Sequence, residues 1–157
     1  MPGPRDLRPF HRPAVRLENA APRRRGAVAV IERAGSLLVI RRSQAVVAPG
    51  AYCFPGGGIE PGETEEQALV RELLEELQVE VRPLRRVWSS VTPWNVELAW
   101  WQAELPASVI PQPSPAEVES IHWCTLAEIA QLPGLLESNH QFLAAIERRE
   151  IVLGDMP

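Results

Sequence analysis

The chain holds 157 residues, 45% of them hydrophobic, with a formal net charge of −4, which is one domain's worth of sequence with enough apolar residues to bury a core. All 16 basic residues are arginine, which excludes chemistry through a Schiff-base lysine. Seven of the 20 acidic residues lie between Glu60 and Glu76, so the acidity is local, which points to a cation there and away from a nucleic acid polymer as partner.

Residues 1–23 are rich in Pro and Arg and read as an extended arm, its arginines either solvated or steering anionic substrates. The arm has no apolar stretch of the kind that directs secretion, and no run approaches membrane-spanning length. The expected setting is therefore cytoplasmic, away from membranes, with Cys53 and Cys124 as reduced core thiols. Residues 24–150 form the folded body and 151–157 a tail. Gly26–Arg33 and Ser36–Arg42 are strand-like runs whose junction at Ala34-Gly35 predicts a hairpin. Arg42 closes the second run, either as a surface arginine or as a guanidinium able to grip phosphate bidentately.

A loop over 43–51 leads to Tyr52-Cys53-Phe54-Pro55 and then to Gly56, Gly57 and Gly58. Glycines there let the backbone turn or approach a metal or phosphate closely. Thr64, with Gln67 three residues later, is a capping box opening a helix. Leu69, Val70, Leu73, Leu74 and Leu77 recur at helical spacing, while Glu72, Glu75 and Glu76 stand at i, i+3 and i+4 on another face. Three like charges so placed repel one another. Either they form a solvated acidic face, or a hard divalent cation gathers them.

Beyond the helix, Val79–Val91, interrupted by Pro83, and Asn95–Glu104 are predicted partner strands joined at Thr92-Pro93, with Trp100 and Trp101 on opposite faces. Pro106–Pro115 carries four prolines in ten residues and must be a loop. A short strand follows at Ser120–Cys124, then a helix over 126–131 capped by Thr125, then a last helix capped by Ser138 and running to Arg149. His11, His122 and His140 have no serine or cysteine at a nucleophile spacing, and two cysteines without a CxxC make no zinc site.

The stretch from Gly57 to Val79 resembles the signature of the Nudix hydrolases, G-x5-E-x7-R-E-U-x-E-E-x-G-U, where U is a bulky aliphatic residue. Gly57, Glu63, Arg71, Glu72, Leu73, Glu75, Glu76 and Val79 stand in register. Gln78 departs from it, occupying the position of a glycine that ends the helix, so it must enter the left-handed region or end the helix differently. The resemblance implies an α/β fold, an α/β/α sandwich with a mixed sheet. It also implies hydrolysis of the diphosphate of a nucleoside diphosphate linked to another moiety, with Mg²⁺ or Mn²⁺ as cofactor. On this reading Gly56, Glu72, Glu75 and Glu76 hold metal, Arg71 orients a glutamate, and the general base is Glu72, Glu76 or Glu117. The spacing of Arg42 and Glu117 is similar to that of the mutator-type triphosphatases, which implies phosphate contact by Arg42. Asn139 and His140 fall near where relatives place base-reading side chains, so Asn139 is either the candidate for substrate reading or a structural asparagine in the first turn of its helix. A nucleoside triphosphate, unmodified or oxidised, is the first substrate expected, with ADP-ribose or a sugar nucleotide as alternatives. Dimer formation, common in the family, is left open by the sequence. A domain that senses a nucleotide without cleaving it predicts a broken signature, whereas here every acidic position stands. An isopentenyl diphosphate isomerase, which shares the fold, would need a reactive cysteine and a second carboxylate facing a small pocket, and the Trp-rich sequence without further metal-binding histidines argues against it.

Overall fold

The run Ala27–Ile31 contains no polar side chain and is almost wholly buried, so both faces of its strand must be covered by other elements. The computed structural model, which describes residues 23–154, meets that demand with layers on either side. Its strands are β1 (Arg24–Val30), β2 (Glu32–Arg33), β3 (Ser36–Arg42), β4 (Tyr52–Cys53), β5 (Gly56–Gly58), β6 (Arg82–Val91), β7 (Val96–Glu104) and β8 (Val118–Cys124). The helices are α1 (Glu65–Leu77), α2 (Leu126–Ala130) and α3 (Glu137–Glu147). One sheet has the order β5-β1-β7-β6 and is mixed, since β1 and β7 run parallel while the outer pairs are antiparallel. In the other, β3 is flanked by β8 on one edge and by β2 and β4 on the other, all antiparallel.

Alternation along the strands divides the interior in two. Ala27, Ala29, Leu38 and Ile40 join Ala68, Leu69, Leu73 and Leu77 of α1 in one core. Val28, Val30, Leu37, Val39 and Trp100 join Ile129 of α2 and Phe142 and Ala145 of α3 in the other. The second core is centred on aromatics: Trp100 stacks on Phe142 at 4.5 Å between centroids, and Phe54 meets both edge-on. This is the expected α/β/α arrangement. Among the described residues, no helix is long and apolar enough to cross a membrane.

Several boundaries differ from the sequence-based expectations. The hairpin at Ala34-Gly35 forms only between β2 and β3, with φ of 53° and 83° at the turn. The chain leaves the first sheet at Ile31, so β1 pairs with β5 and β7 instead. On α1 the buried residues are Ala68 and Glu76 on one row and Leu69, Leu73 and Leu77 on the next, while Leu74 lies one row further round and is half exposed. The last helix starts one residue before Ser138, with Leu136 as an N-cap that offers no side-chain bond. Pairing outside the helix sets that start: the Tyr52 carbonyl takes the Leu136 N–H at 3.0 Å, and Gly134 offers its carbonyl to the Tyr52 N–H. Ile151 and Leu153, expected in a tail, are buried in the aromatic core, and the Arg85 guanidinium holds the Val152 carbonyl at 2.9 Å. The arm over 1–23 lies outside the described residues apart from Arg23.

Candidate active site

Helix α1 carries the chemistry, and local rules explain where it begins and ends. Thr64 and Gln67 close the capping box in both directions. Gln78 ends the helix in the left-handed region, at φ 56° and ψ 38°, a conformation that strains any residue with a Cβ. Its side-chain amide extends toward the Gln112 and Pro113 carbonyls at 3.5 and 3.4 Å.

Those carbonyls belong to the proline-rich loop, which is fastened to the end of the helix. Gln112 N–H donates to the Leu77 carbonyl and Ser114 N–H to the Glu76 carbonyl, each at 2.9 Å, so acceptors that a helix end leaves free are used to hold the loop. Farther along, Ser43 N–H donates to the Glu117 carbonyl at 3.0 Å and Ser43 Oγ to that of Ala116 at 2.9 Å. At its start, Arg33 grips the carbonyls of Pro106 and Val109. A segment without regular structure is thereby fixed, and it delivers Glu117 to the helix.

The result is a cluster in which carboxylate oxygens of Glu72, Glu76 and Glu117 all lie within 4.8 Å of one another. The glycine turn makes room for it. A Cβ on Gly57 would land on the Glu72 carboxylate, and one on Gly56 would collide with the backbone of Ala27 and Val28. Gly56 N–H donates to Glu76 Oε1 at 3.1 Å. Glu76 is only 5% exposed. Burial, and then the charges of Glu72 and Glu117, push its carboxyl up to about 8 against the opposing Gly56 bond. Glu72 is raised as well, by burial first.

Around the other side of the helix the charges are paired. Arg71 forks onto Glu63 at 2.6 and 2.9 Å, reaches Glu72 Oε2 at 2.9 Å, and donates to the Gly58 carbonyl at 2.8 Å. The Arg71 hydrogen bonds hold Glu63 well below the usual carboxylate range, at about 2. Glu75 follows Arg71 at i+4, at 3.3 Å, and its side chain is 47% exposed. The structure therefore brings Glu72, Glu76 and Glu117 together and turns Glu75, expected among the metal ligands, outward to Arg71.

Of the substrate-binding candidates, Arg42 lies close enough to the cluster for its charge to act on Glu76 and on the buried Cys53 thiol, while its Nε donates to the Val47 carbonyl at 2.7 Å. Asn139 takes the structural one of its two readings. It is 3% exposed; its Oδ1 accepts the Phe54 N–H at 2.9 Å, and its Nδ2 donates to Ser138 Oγ at 3.0 Å. The side chain is consumed in fixing the strand that leads into Gly56. Burial pushes the Cys53 thiol up to about 11, which makes it a poor nucleophile. His122 does meet a serine, Ser120 at 2.8 Å, but no carboxylate is bonded to its ring among the described residues.

Three convergent carboxylates, two of them short of water and with raised pKa, form the hard oxygen donor set that Mg²⁺ or Mn²⁺ takes. The residues present fit such an ion, and binding it would remove the proton that burial keeps on Glu76.

Known proteins resemble this chain in sequence and in fold. A family model described as "NUDIX domain" matches residues 22–146. The chain belongs to the Nudix family. Its Nudix domain is 31% identical over 114 residues to the NAD-capped RNA hydrolase NudC of Stutzerimonas stutzeri, covering 71% of this chain and 40% of that protein. The chain thus spans about two fifths of the length of that curated relative. In fold it is similar to the MutT protein of Methanosarcina mazei, with a TM-score of 0.70 at 20% identity over 82% of this chain and 95% of the other. It is also similar to the E. coli ORF135 protein, with a TM-score of 0.64 at 29% identity, covering 80% and 89%.

Proposed function

We propose that this Nudix domain hydrolyses the phosphoanhydride bond of a nucleoside diphosphate-linked substrate with Mg²⁺ or Mn²⁺ as cofactor. The observation that carries the reading is the convergence of Glu72 and Glu76 from α1 with Glu117 from the proline-rich loop at the Gly56-Gly57 turn. These three carboxylates would hold the ion, with the Gly56 carbonyl as a further donor, and Glu75 would join only by leaving Arg71. A divalent ion bound there would neutralise the diphosphate and acidify water. Water attacks phosphorus, its oxygen forming the new P–O bond as the bridging P–O bond breaks, and one of Glu72, Glu76 and Glu117 takes the proton. Arg71 positions Glu72 through a charge-assisted bond. Arg42 keeps guanidinium donors beyond its Nε for a substrate phosphate.

The spacing of Arg42 and Glu117 supports a nucleoside triphosphate, unmodified or oxidised, cleaved to monophosphate and pyrophosphate. A second reading, an NAD-type dinucleotide, is favoured by the 31% identity to a protein named as an NAD-capped RNA hydrolase and by the commitment of Asn139 to Phe54. The deciding experiment measures product release with Mg²⁺ across triphosphates, NAD, ADP-ribose and sugar nucleotides, with Glu76→Gln as control. Metal-dependent turnover that Glu76→Gln abolishes supports the reading, and the product names the class. Saturable binding of a nucleotide without turnover of any would replace it with a sensing role.

A further inference from the structure

The first residue of α1 holds together a second constellation that the carboxylate cluster does not use. Glu65 is gripped from three strands: Arg25 Nη2 of β1 lies 3.0 Å from its Oε2, and Trp101 Nε1 of β7 and Arg86 Nε of β6 lie 2.8 and 3.3 Å from its Oε1. Its side chain is 16% exposed, whereas those of Arg25 and Arg86 are 44% and 51% exposed. A half-buried carboxylate thus orients two guanidinium groups, each with N–H donors beyond the one that Glu65 takes. Both arginines line a cavity of about 320 Å³, with Glu97 and Ser89 also in its wall. Glu97 is only loosely engaged, at 3.7 Å from Arg25 Nε. A second cavity of about 320 Å³ shares Arg25 and Gly26 as walls, adds Arg24, and reaches Gly58 and Ile59 of the active-site loop. Gly58 is the residue whose carbonyl holds Arg71.

Two oriented guanidinium groups, with Arg24 in the wall of the adjoining cavity, are suited to bidentate recognition of a phosphoryl group. We propose that these adjoining cavities bind a phosphoryl group on the part of the substrate that lies beyond the cleaved diphosphate. The proposal rests on the hydrolase reading for its substrate and on the geometry of Arg25, Glu65 and Arg86 for its site. Such a group comes from two sources, an additional phosphate on a small dinucleotide or the phosphodiester of an attached oligoribonucleotide.

The binding test uses the metal-free protein in EDTA, in which the uncompensated carboxylate cluster repels anions. Inorganic pyrophosphate is titrated while the Trp101 indole N–H, bonded to Glu65, is followed by NMR. A saturable shift of that signal, weakened about tenfold or more in Arg86→Ala, is expected from the loss of a charge-assisted bond. No shift, or the same saturation in Arg86→Ala, overturns the site. The kinetic test compares NAD, its 2′-phosphorylated form, and NAD joined through its adenosine to a short oligoribonucleotide. In Arg86→Ala, KM for one phosphate-extended substrate should rise about tenfold relative to KM for NAD, with the kcat ratio unchanged, and the substrate affected names the source. Equal KM ratios in both proteins refute the assignment to substrate. If none of the three is hydrolysed by the unaltered protein, the dinucleotide reading fails, while the NMR titration still decides the site.

Discussion

Two sets of carboxylates gather around helix α1, and they live in opposite electrostatic conditions. Glu63 and Glu75 face Arg71 near the surface, and the Arg71 fork holds Glu63 at about 2. Glu76, together with Glu72 and Glu117, is turned under the glycine loop, where burial and mutual repulsion raise it to about 8. The rows of the helix make the division. Arg71 and Glu75 lie on one row toward solvent; Glu72 and Glu76 lie on the row that begins with buried Ala68. The paired set is complete within the protein. The clustered set is costly without a cation, and its burial prepares it for one.

The largest effect should come from the clustered set. Glu76→Gln keeps shape and the Gly56 bond but removes a ligand, and kcat/KM should fall at least about 10³-fold. The metal-free Tm should not fall, because the buried carboxyl is already largely neutral near pH 7; a drop of several degrees would contradict this. Next comes the paired set. Arg71→Ala leaves Glu63 and Glu72 without their donor, and a loss of about 1.5–3 kcal/mol of stability is expected by chemical denaturation. Activity should fall with it, whereas Arg71→Lys should rescue little because an ammonium cannot fork.

Glu76 and Glu63 also titrate with opposite signs. Glu76 has a folded pKa above its unfolded value, so the metal-free folded state binds the extra proton between pH 4.5 and about 8. Its contribution is fully present below pH 4.5 and lost as pH rises toward 8. Glu63 is depressed, so its contribution is present above pH 4.5 and lost as pH falls toward 2. Tm in EDTA should therefore decline from pH 5 to pH 8, and saturating Mg²⁺ or Glu76→Gln should flatten that decline. A slope that neither changes would mean that another group carries it. The smallest effect is at the helix end. Gln78→Gly relieves a left-handed residue and should gain up to about 1 kcal/mol, set against the long amide contacts it gives up. A lower Tm would show that those contacts matter more.

Much of this was legible in the sequence because it is local. The Thr64 capping box, the spacing of Arg71, Glu72 and Glu76, and the left-handed exit at Gln78 follow from residues within a few turns of one another. Glu117 could be suggested only by resemblance, because the hydrogen bonds that bring its loop to α1 join backbone groups about 35 positions apart, and backbone groups leave no mark in side-chain pattern. The split of β1 from β3 was hidden because both strands are apolar on both faces. The start of α3 was misplaced at Ser138 because pairing with Tyr52 overrides the capping preference. Asn139 could be placed in the first turn of a helix, but only the fold brings Phe54 to its amide. The Glu65 constellation draws on four elements, so no single stretch announces it.

The central claim is that Glu72, Glu76 and Glu117, rather than the set paired with Arg71, hold the catalytic ion. Mn²⁺ binding measured by electron paramagnetic resonance on Glu76→Gln, Glu117→Gln and Glu75→Gln tests it directly. We expect affinity to fall at least about tenfold in the first two and least in Glu75→Gln. Undiminished binding in Glu117→Gln, with a large loss in Glu75→Gln, would contradict the account and move the ion to the outer face of the helix.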